Sequence, residues 1–429
     1  MHRLFIIFGS TVIQKIAVFI MMIIAARIMN IDEFGSFAFI YATSVTLTSF
    51  LGEGLATTAN RYVSIKEQED NLKICKLTGE LIKCSFAVSC LLLFIFMFCS
   101  FVSVWLSKDN SVLILLKWAS LIPFFTLQNT VLNAILNCFE KNIAAALIGG
   151  IGSILSVVLG LFFAKSYGVV GMCVGLTIGL FFATLSYYIT IHKDIVTLNV
   201  KFIDISKVYH IIKTFTVPTW GAMALGGPVH WVCLTVLATS GSEGVRNLAV
   251  FTAFFQWHVI LNFIPSSVAN FTSHFLVKEK GRNDRAFVHA IMKIFAANAV
   301  TGLSILLMVL LLKEQILLIY DADFAQYGNV LLLISLCGYV ASFALVMSQV
   351  LWSSGKAWLN FSAAFFYAVT YIVATFVLVK FFALGAIGLG FSILISSFLQ
   401  LIFQIRLFIN SSELKLNGSR LMIVDNRDG

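Results

Sequence analysis

The sequence predicts an all-α polytopic membrane protein: twelve transmembrane helices in two pseudo-symmetric six-helix lobes around a central cavity. Three observations predict it. Of the 429 residues, 59% are hydrophobic and 11% charged, whereas a soluble chain carries about 25% charged residues. Apolar runs extend for about 20 residues without period-2 alternation, the length of a spanning helix rather than a barrel strand. Short sequence anchors recur at an offset of about 215 residues, as in transporters built from two parallel repeats.

Apolar runs read against polar punctuation place the helices at about 5–27, 35–59, 82–106, 112–138, 143–164, 167–190, 214–238, 246–276, 286–312, 326–351, 358–380 and 383–408. The first is a retained anchor, because Gln14 and Lys15 interrupt its apolar run and no small-residue cleavage site follows. Connections such as AKSYG (164–168) enforce antiparallel neighbours, and no loop is long enough for a folded extramembrane domain. Helix seven, VPTWGAMALGGPVHWV (217–232), holds two of only four prolines beside Gly221, Gly226 and Gly227, which predicts a bend, either static or a hinge.

Charge then orients the chain. The termini and the loops after even-numbered helices carry nineteen Lys and Arg residues; the opposite loops carry six, Arg27, Lys108, Lys165, Arg246, Lys313 and Lys380. The positive-inside rule makes both termini cytoplasmic. The net charge of +9 is thus a topology signal, and no nucleic-acid partner is expected.

The duplication shows in GVVGMCVG (168–175) against GAIGLGFS (385–392), ILNCFEKNI (135–143) against VLWSSGKAW (350–358), and more loosely FGSFAFIYA (34–42) against LAVFTAFFQ (248–256). It divides the chain into an N-lobe (1–190), a cytoplasmic linker (191–213), a C-lobe (214–410) and a cytoplasmic tail (411–429).

Polar residues at helical spacing mark the candidate pathway. Helix two carries Thr43, Thr46, Ser49, Glu53 and Thr57. Helix four carries Thr126, Asn129, Asn133 and Asn137, with Gln128 and Thr130 adjacent. Helix eight carries His258, Asn262, Ser266 and Asn270 around Pro265. Hydroxyls and amides hydrogen-bond sugars and are costly to bury unpaired in lipid. The same groups also join helices, at about 0.6 kcal/mol each. Lys15, beside Gln14, lies roughly 18 Å along its helix from Arg3, near mid-membrane. A charge there costs about 2.5–3.5 kcal/mol on insertion scales. Two readings stand: a static ion pair with Glu53, or a cationic cavity for an anionic substrate. Further candidate charge contacts are Arg27, Arg61, Lys117 and His230, the last at the repeat-related position of Lys15.

The eight cysteines and seven histidines are dispersed, so neither a metal site nor a disulfide framework is expected. A P-loop is absent from the sequence, and no nucleophile–base arrangement suggests an enzyme.

The segment AARIMNIDEFGSFAFIYATSVTLTSFLGEGLATTANRYVS (25–64) resembles the start of the Wzx-type O-antigen and polysaccharide repeat-unit flippases of the multidrug/oligosaccharidyl-lipid/polysaccharide (MOP) exporter superfamily. The cues are Ala26-Arg27, the acidic turn into Phe34-Gly35, Gly54-Leu55-Ala56-Thr57 and Asn60-Arg61-Tyr62; NCFEK (137–141), Pro218 and Phe263-Ile264-Pro265 fit too. The resemblance implies a bacterial inner-membrane transporter, not an enzyme. It would move an undecaprenyl-pyrophosphate-linked oligosaccharide from the cytoplasmic to the periplasmic leaflet by alternating access. It further implies Lys15 as the pyrophosphate contact, a monomer among membrane lipids, polysaccharide polymerase machinery as partner, and no cofactor beyond H+ or Na+ coupling through Glu53, His230 or His258. Two alternatives stay open: a drug or metabolite antiporter of the same superfamily, disfavoured by a lysine in helix one, and a lipid II flippase, which usually adds two helices.

Overall fold

The computed structural model describes residues 2–63, 71–107, 118–196, 225–282, 284–354, 356–411, 414–417 and 420–423. It is helical nearly throughout, and eight helices are long and apolar enough to cross a membrane. The chain forms two compact units, Met1–Trp231 and Val232–Gly429.

The first unit opens with α1 (His2–Ile28) and α2 (Ile31–Val63). Asn30 separates them and caps α2: its Oδ1 accepts the Glu33 amide at 2.8 Å. Asp32 and Glu33 in the first turn complement the positive end of the helix dipole. After α3 (Asn71–Ser107) comes α4 (Leu121–Cys138), whose Pro123 lies in the first turn, where a missing amide proton costs little. The continuous helical stretch Asn142–Val196 breaks at Gly168, with φ 55° and ψ −137°, a conformation open to glycine and poor for other residues. The break gives two arms, α5 (142–167) and α6 (169–196), which fold back on one another. Their antiparallel contact is built on small residues: a methyl group on Gly175 would overlap the Leu159 carbonyl, and one on Gly179 the Ser156 backbone. Between membrane helices this close approach supplies the packing that hydrophobicity cannot. Leu55, Leu81, Leu127, Val131, Leu132, Ile135, Tyr187 and Ile191 form the core joining α2, α3, α4 and α6.

The next helix, α7 (Gly227–Ala238), starts later than its apolar run suggests. It begins after a turn at 225–226 and has Pro228 in its first turn, so this proline starts a helix rather than bending one. Pro218 and Gly221 lie outside the described residues. The first turns of α7 pack on α2 within the first unit, with Trp231 Nε1 donating to Thr43 Oγ1 at 2.8 Å.

The second unit continues with α8 (Gly244–Arg282), α9 (Asp284–Leu311), α10 (Gly328–Ser353), α11 (Ala357–Thr375) and α12 (Gly385–Ser411). The connection left between the ninth and tenth expected helices, 313–325, holds the short helices Lys313–Ile319 and Ala322–Ala325. Tyr320 anchors it: Trp257 Nε1 donates to the phenol oxygen at 3.2 Å, and the phenol donates to the Ala253 carbonyl at 3.3 Å. The end of α11 loosens into a π-helical turn, Phe376–Phe381. Among the described residues the strands are Leu414–Asn417 and Arg420–Ile423, an antiparallel hairpin that helical periodicity did not predict. The helices outrun their apolar cores: α2, expected at 35–59, spans Ile31–Val63, and α3, expected at 82–106, begins at Asn71. Hydropathy locates the lipid-length core of a span, whereas caps and backbone hydrogen bonds set its ends.

The repeat has a backbone counterpart in each unit. Gly168 and Gly385 both take positive φ, 55° and 54°, immediately before α6 and at the start of α12. Each sits against the start of its unit's second helix: Glu33 near Gly168, Asn247 near Gly385. At the end of α4 the Lys141 amide donates to the Leu136 carbonyl at 3.0 Å, and at the end of α10 the Lys356 amide donates to Leu351 at 2.9 Å. This i→i−5 bond is the Schellman closure, which calls for a left-handed residue just before the donor. In the first unit that residue is Glu140, at φ 58°; at the matching place the second repeat has Gly355. Glu140→Gly is therefore expected to raise the melting temperature, by removing a strain of about 1 kcal/mol. An unchanged or lower melting temperature would mean that Glu140's own side-chain contacts outweigh the strain.

Candidate functional site

The polar stripe of α4 faces a cavity of about 410 Å³ inside the first unit. Its walls come from α1 (Gln14), α4 (Thr126, Asn129, Thr130, Asn133, Ala134, Asn137), α5 (Gly149, Gly152, Ser153) and α6 (Leu180, Ala183, Tyr187). A one-turn spacing of three or four residues puts the α4 groups on a single face.

Hydrogen bonds hold the amides in place. Asn133 Nδ2 donates to Tyr187 Oη at 2.9 Å, and the phenol donates to the Ala145 carbonyl at 3.2 Å. Asn137 Nδ2 donates to Asn133 Oδ1 at 2.8 Å. Asn129 takes the Thr184 hydroxyl on its Oδ1 at 2.8 Å and gives Nδ2 to the Leu180 carbonyl at 3.2 Å. On α1, Ser10 donates to the Ala146 carbonyl and receives Gln14 Nε2 at 3.1 Å, which fixes the amide of Gln14 at the wall. Gly149 leaves room for this: a methyl group there would stand 2.9 Å from Gln14 Nε2 and 3.1 Å from Tyr187 Oη. Among the described residues no Asp, Glu, Lys, Arg or His contributes to the lining.

Lys15 stands exposed next to Gln14. By the turn of the helix it lies about 100° or more from the exposed apolar residues Ile13, Ile16 and Ile20, and shares a side with exposed Thr11. Glu53 of α2, also exposed, is close enough for the Lys15 charge to act on it. Among the described residues no salt bridge joins the two. Lys15 thus lies on a side of α1 distinct from its exposed apolar residues, within electrostatic reach of Glu53.

Gln128 points elsewhere. It is 1% exposed, and its Oε1 accepts the Tyr188 hydroxyl at 2.9 Å while its Nε2 donates to Ser89 Oγ at 2.9 Å, so it ties α3, α4 and α6 together away from the cavity. Arg27 is exposed in the last turn of α1, remote in sequence from Lys15. Arg61 is helical in backbone, but its side chain lies outside the described residues, as does all of Lys117. His230 is half-buried in the first turn of α7. His258 and Asn262 belong to the second unit. The His258 ring stacks on Phe255 with centroids 4.7 Å apart, and Asn262 Nδ2 donates to the His258 carbonyl at 2.9 Å, leaving Asn262 Oδ1 buried without a partner.

The structure therefore brings together Gln14, Asn129 and Asn133, with Lys15 beside Gln14. It adds Tyr187, Ser153 and Gly149, which the sequence reading missed. Tyr187 sits in the apolar run of α6, and its role emerges only from the pairing of α6 with α4. The second unit has a bridge at the repeat-related place, Gln404 Nε2 to Ser348 Oγ at 2.9 Å. There Gln404 is fully buried.

Known proteins agree with this architecture. The chain is 22% identical over 389 residues to the EPS I polysaccharide export inner membrane protein EpsE of Ralstonia nicotianae (strain ATCC BAA-1114 / GMI1000), covering 90% of this chain and 88% of that one. The EpsE protein of Ralstonia solanacearum is 23% identical over 394 residues, with the same coverage. Among solved structures, an inward-facing multidrug resistance MATE family transporter of the MOP superfamily superposes with a TM-score of 0.77 at 17% identity, covering 93% and 95% of the two chains. The lipid II flippase MurJ, in an inward closed conformation, gives 0.74 at 16% identity, covering 95% and 87%. These likenesses establish the fold. The family profile described as "polysaccharide biosynthesis protein" matches residues 2–270, well over half the chain, and to that family, on the MOP fold, the chain belongs.

Proposed function

We propose that this chain is a flippase that carries an undecaprenyl-pyrophosphate-linked oligosaccharide repeat unit, of O-antigen or a related surface polysaccharide, from the cytoplasmic to the periplasmic leaflet. One observation carries the reading: a lysine at the middle of a membrane helix, next in sequence to Gln14, which lines a cavity of amides and hydroxyls. A pyrophosphate supplies the anion that a cation midway along a membrane helix calls for, and a glycan supplies the hydroxyls that the amides can bind. The relatives named for polysaccharide export from the inner membrane support the cargo class and the location. The lipid II flippase on the same fold supports a lipid-linked glycan as a cargo the architecture can handle.

The proposal includes twelve spans in two six-helix lobes around a central cavity, both termini cytoplasmic, and transport by alternating access. The matched positive-φ glycines and Schellman closures favour the two-lobe division. A drug or metabolite antiporter of the same superfamily is the second reading, and the lining of the cavity counts against it because no carboxylate is among its described residues. Deleting the gene tests the function. Surface polysaccharide should disappear while the lipid-linked repeat unit accumulates on the cytoplasmic face, and the wild-type gene should reverse both effects. Deletion that leaves surface polysaccharide intact, with no accumulation, would refute the proposal.

A further inference from the structure

The outer face of α9 sets two basic side chains in line with residues that meet lipid. By the turn of the helix, His289, Lys293, Val300, Leu303, Leu307 and Leu311 fall within about 80° of one another, and all are exposed. The apolar span of α9 begins at Phe287, so Lys293 stands about 9 Å inside it, short of the middle of a hydrocarbon core about 30 Å thick. At that depth a lysine reaches along its helix to the headgroup boundary. The direction is already set, because Cβ bonds tilt toward the helix N-terminus, and here that is the nearer end. The ammonium is thereby carried over the preceding turn, where His289 lies four residues back on the same face. No carboxylate of the helix answers the pair, since α9 has no acidic residue after Asp284. Among the described residues neither side chain forms a salt bridge or a hydrogen bond. The counterpart helix α3 differs: Lys83, close to the repeat-related place and exposed like Lys293, is met by Glu80 of its own helix at 2.9 Å.

We infer that His289 and Lys293 form a docking site for the headgroup of an anionic glycerophospholipid, held against the outer face of α9. Its phosphate diester accepts a charge-assisted hydrogen bond from the Lys293 ammonium. A second comes from the imidazole, which keeps one N–H donor even in its neutral form. The acyl chains run along Val300 and Leu303, further into the span. Charge selects the occupant: a zwitterionic headgroup brings a cation of its own toward the Lys293 ammonium, and an anionic one does not. On the orientation proposed above the site lies in the cytoplasmic leaflet. The binding itself is independent of that orientation and of the flippase reading.

The test uses the full chain in detergent, with retained lipid measured by native mass spectrometry. Three probes are offered: dioleoyl phosphatidylglycerol, dioleoyl phosphatidylcholine, and glycerol 1-phosphate, which has the phosphate without the chains. The wild-type chain should retain phosphatidylglycerol in preference to phosphatidylcholine. The double variant His289→Gln with Lys293→Gln should cut that preference about fivefold, the effect of one lysine at an anionic lipid surface. Its retention of phosphatidylcholine should be unchanged, which shows the chain intact. Lys293→Arg should keep most of the preference, since the charge stays. Lys83→Gln is the control and should leave the preference as it was, because Glu80 already holds that amine. Glycerol 1-phosphate at equal concentration should not displace the lipid. Equal retention of the two lipids by the wild-type chain, or a preference unchanged in the double variant, would overturn the site. So would an equal loss in Lys83→Gln, or displacement by glycerol 1-phosphate.

Discussion

On the proposed flippase function, Lys15→Ala is expected to abolish export of the surface polysaccharide while the protein reaches the membrane at its normal level. The expectation follows from the placement of Lys15: an exposed amine on a spanning helix, turned from the apolar side, with Glu53 near but not bonded to it. At about 4 Å and an effective dielectric of about 20, one unit charge on another is worth about 4 kcal/mol. Losing that much at the proposed pyrophosphate contact would slow transport by about a thousandfold. Lys15→Arg should retain part of the export, because a guanidinium keeps the charge and binds phosphate, though with a wider and more rigid head. Removal of a lysine from a membrane helix lowers insertion cost, so protein level should not fall. The measurement is surface polysaccharide per unit of membrane-inserted protein in a deletion strain. Wild-type export by Lys15→Ala would remove the cation from the mechanism.

Gly175→Ala is expected to be strongly destabilising to the first unit. The added carbon would overlap the Leu159 carbonyl across the α5–α6 contact, and a backbone oxygen cannot swing aside as a side chain can. The arms would have to separate, and the cavity walls Gly149, Gly152, Ala183 and Tyr187 ride on those same arms. Overpacking of this kind costs about 1–3 kcal/mol, and more where backbone must move. Gly79→Ala is the matched control, since a methyl there meets nothing within 4 Å. Thermal unfolding in detergent should show a clear fall for Gly175→Ala and little change for Gly79→Ala. Equal melting temperatures for the two would mean that the arms do not pack as described.

Much of the candidate site was legible because α4 gathers its amides on one face. Asn129, Asn133 and Asn137 recur at one-turn spacing, and in the structure all three line the cavity. Gln14 was legible as a polar break in an apolar run. Gln128 was not separable from them, because an amide one residue away in sequence is about 100° away in space and meets Ser89 and Tyr188 instead. Tyr187 and Gly149 were invisible for a different reason. Their part depends on which helices touch, and a tyrosine in an apolar run has no periodic signature of its own. In the fold, the glycine anchors at 168 and 385 announced themselves as a repeat, and their shared positive φ supplies the physical cause. The late start of α7 and the terminal hairpin depend on local backbone preferences that hydropathy averages away.

The paired turns at Gly168 and Gly385, each seated against the first turn of a preceding helix, read as the footprint of a gene fused from two copies of one ancestor. Such a fusion inherits its bends twice, since neither half can borrow a bend from the other. Interior side chains are under no such obligation. One copy has kept or gained a polar chamber beside its asparagine and tyrosine, while its twin closed the equivalent place around a buried glutamine. Symmetry of scaffold has thus allowed asymmetry of chemistry.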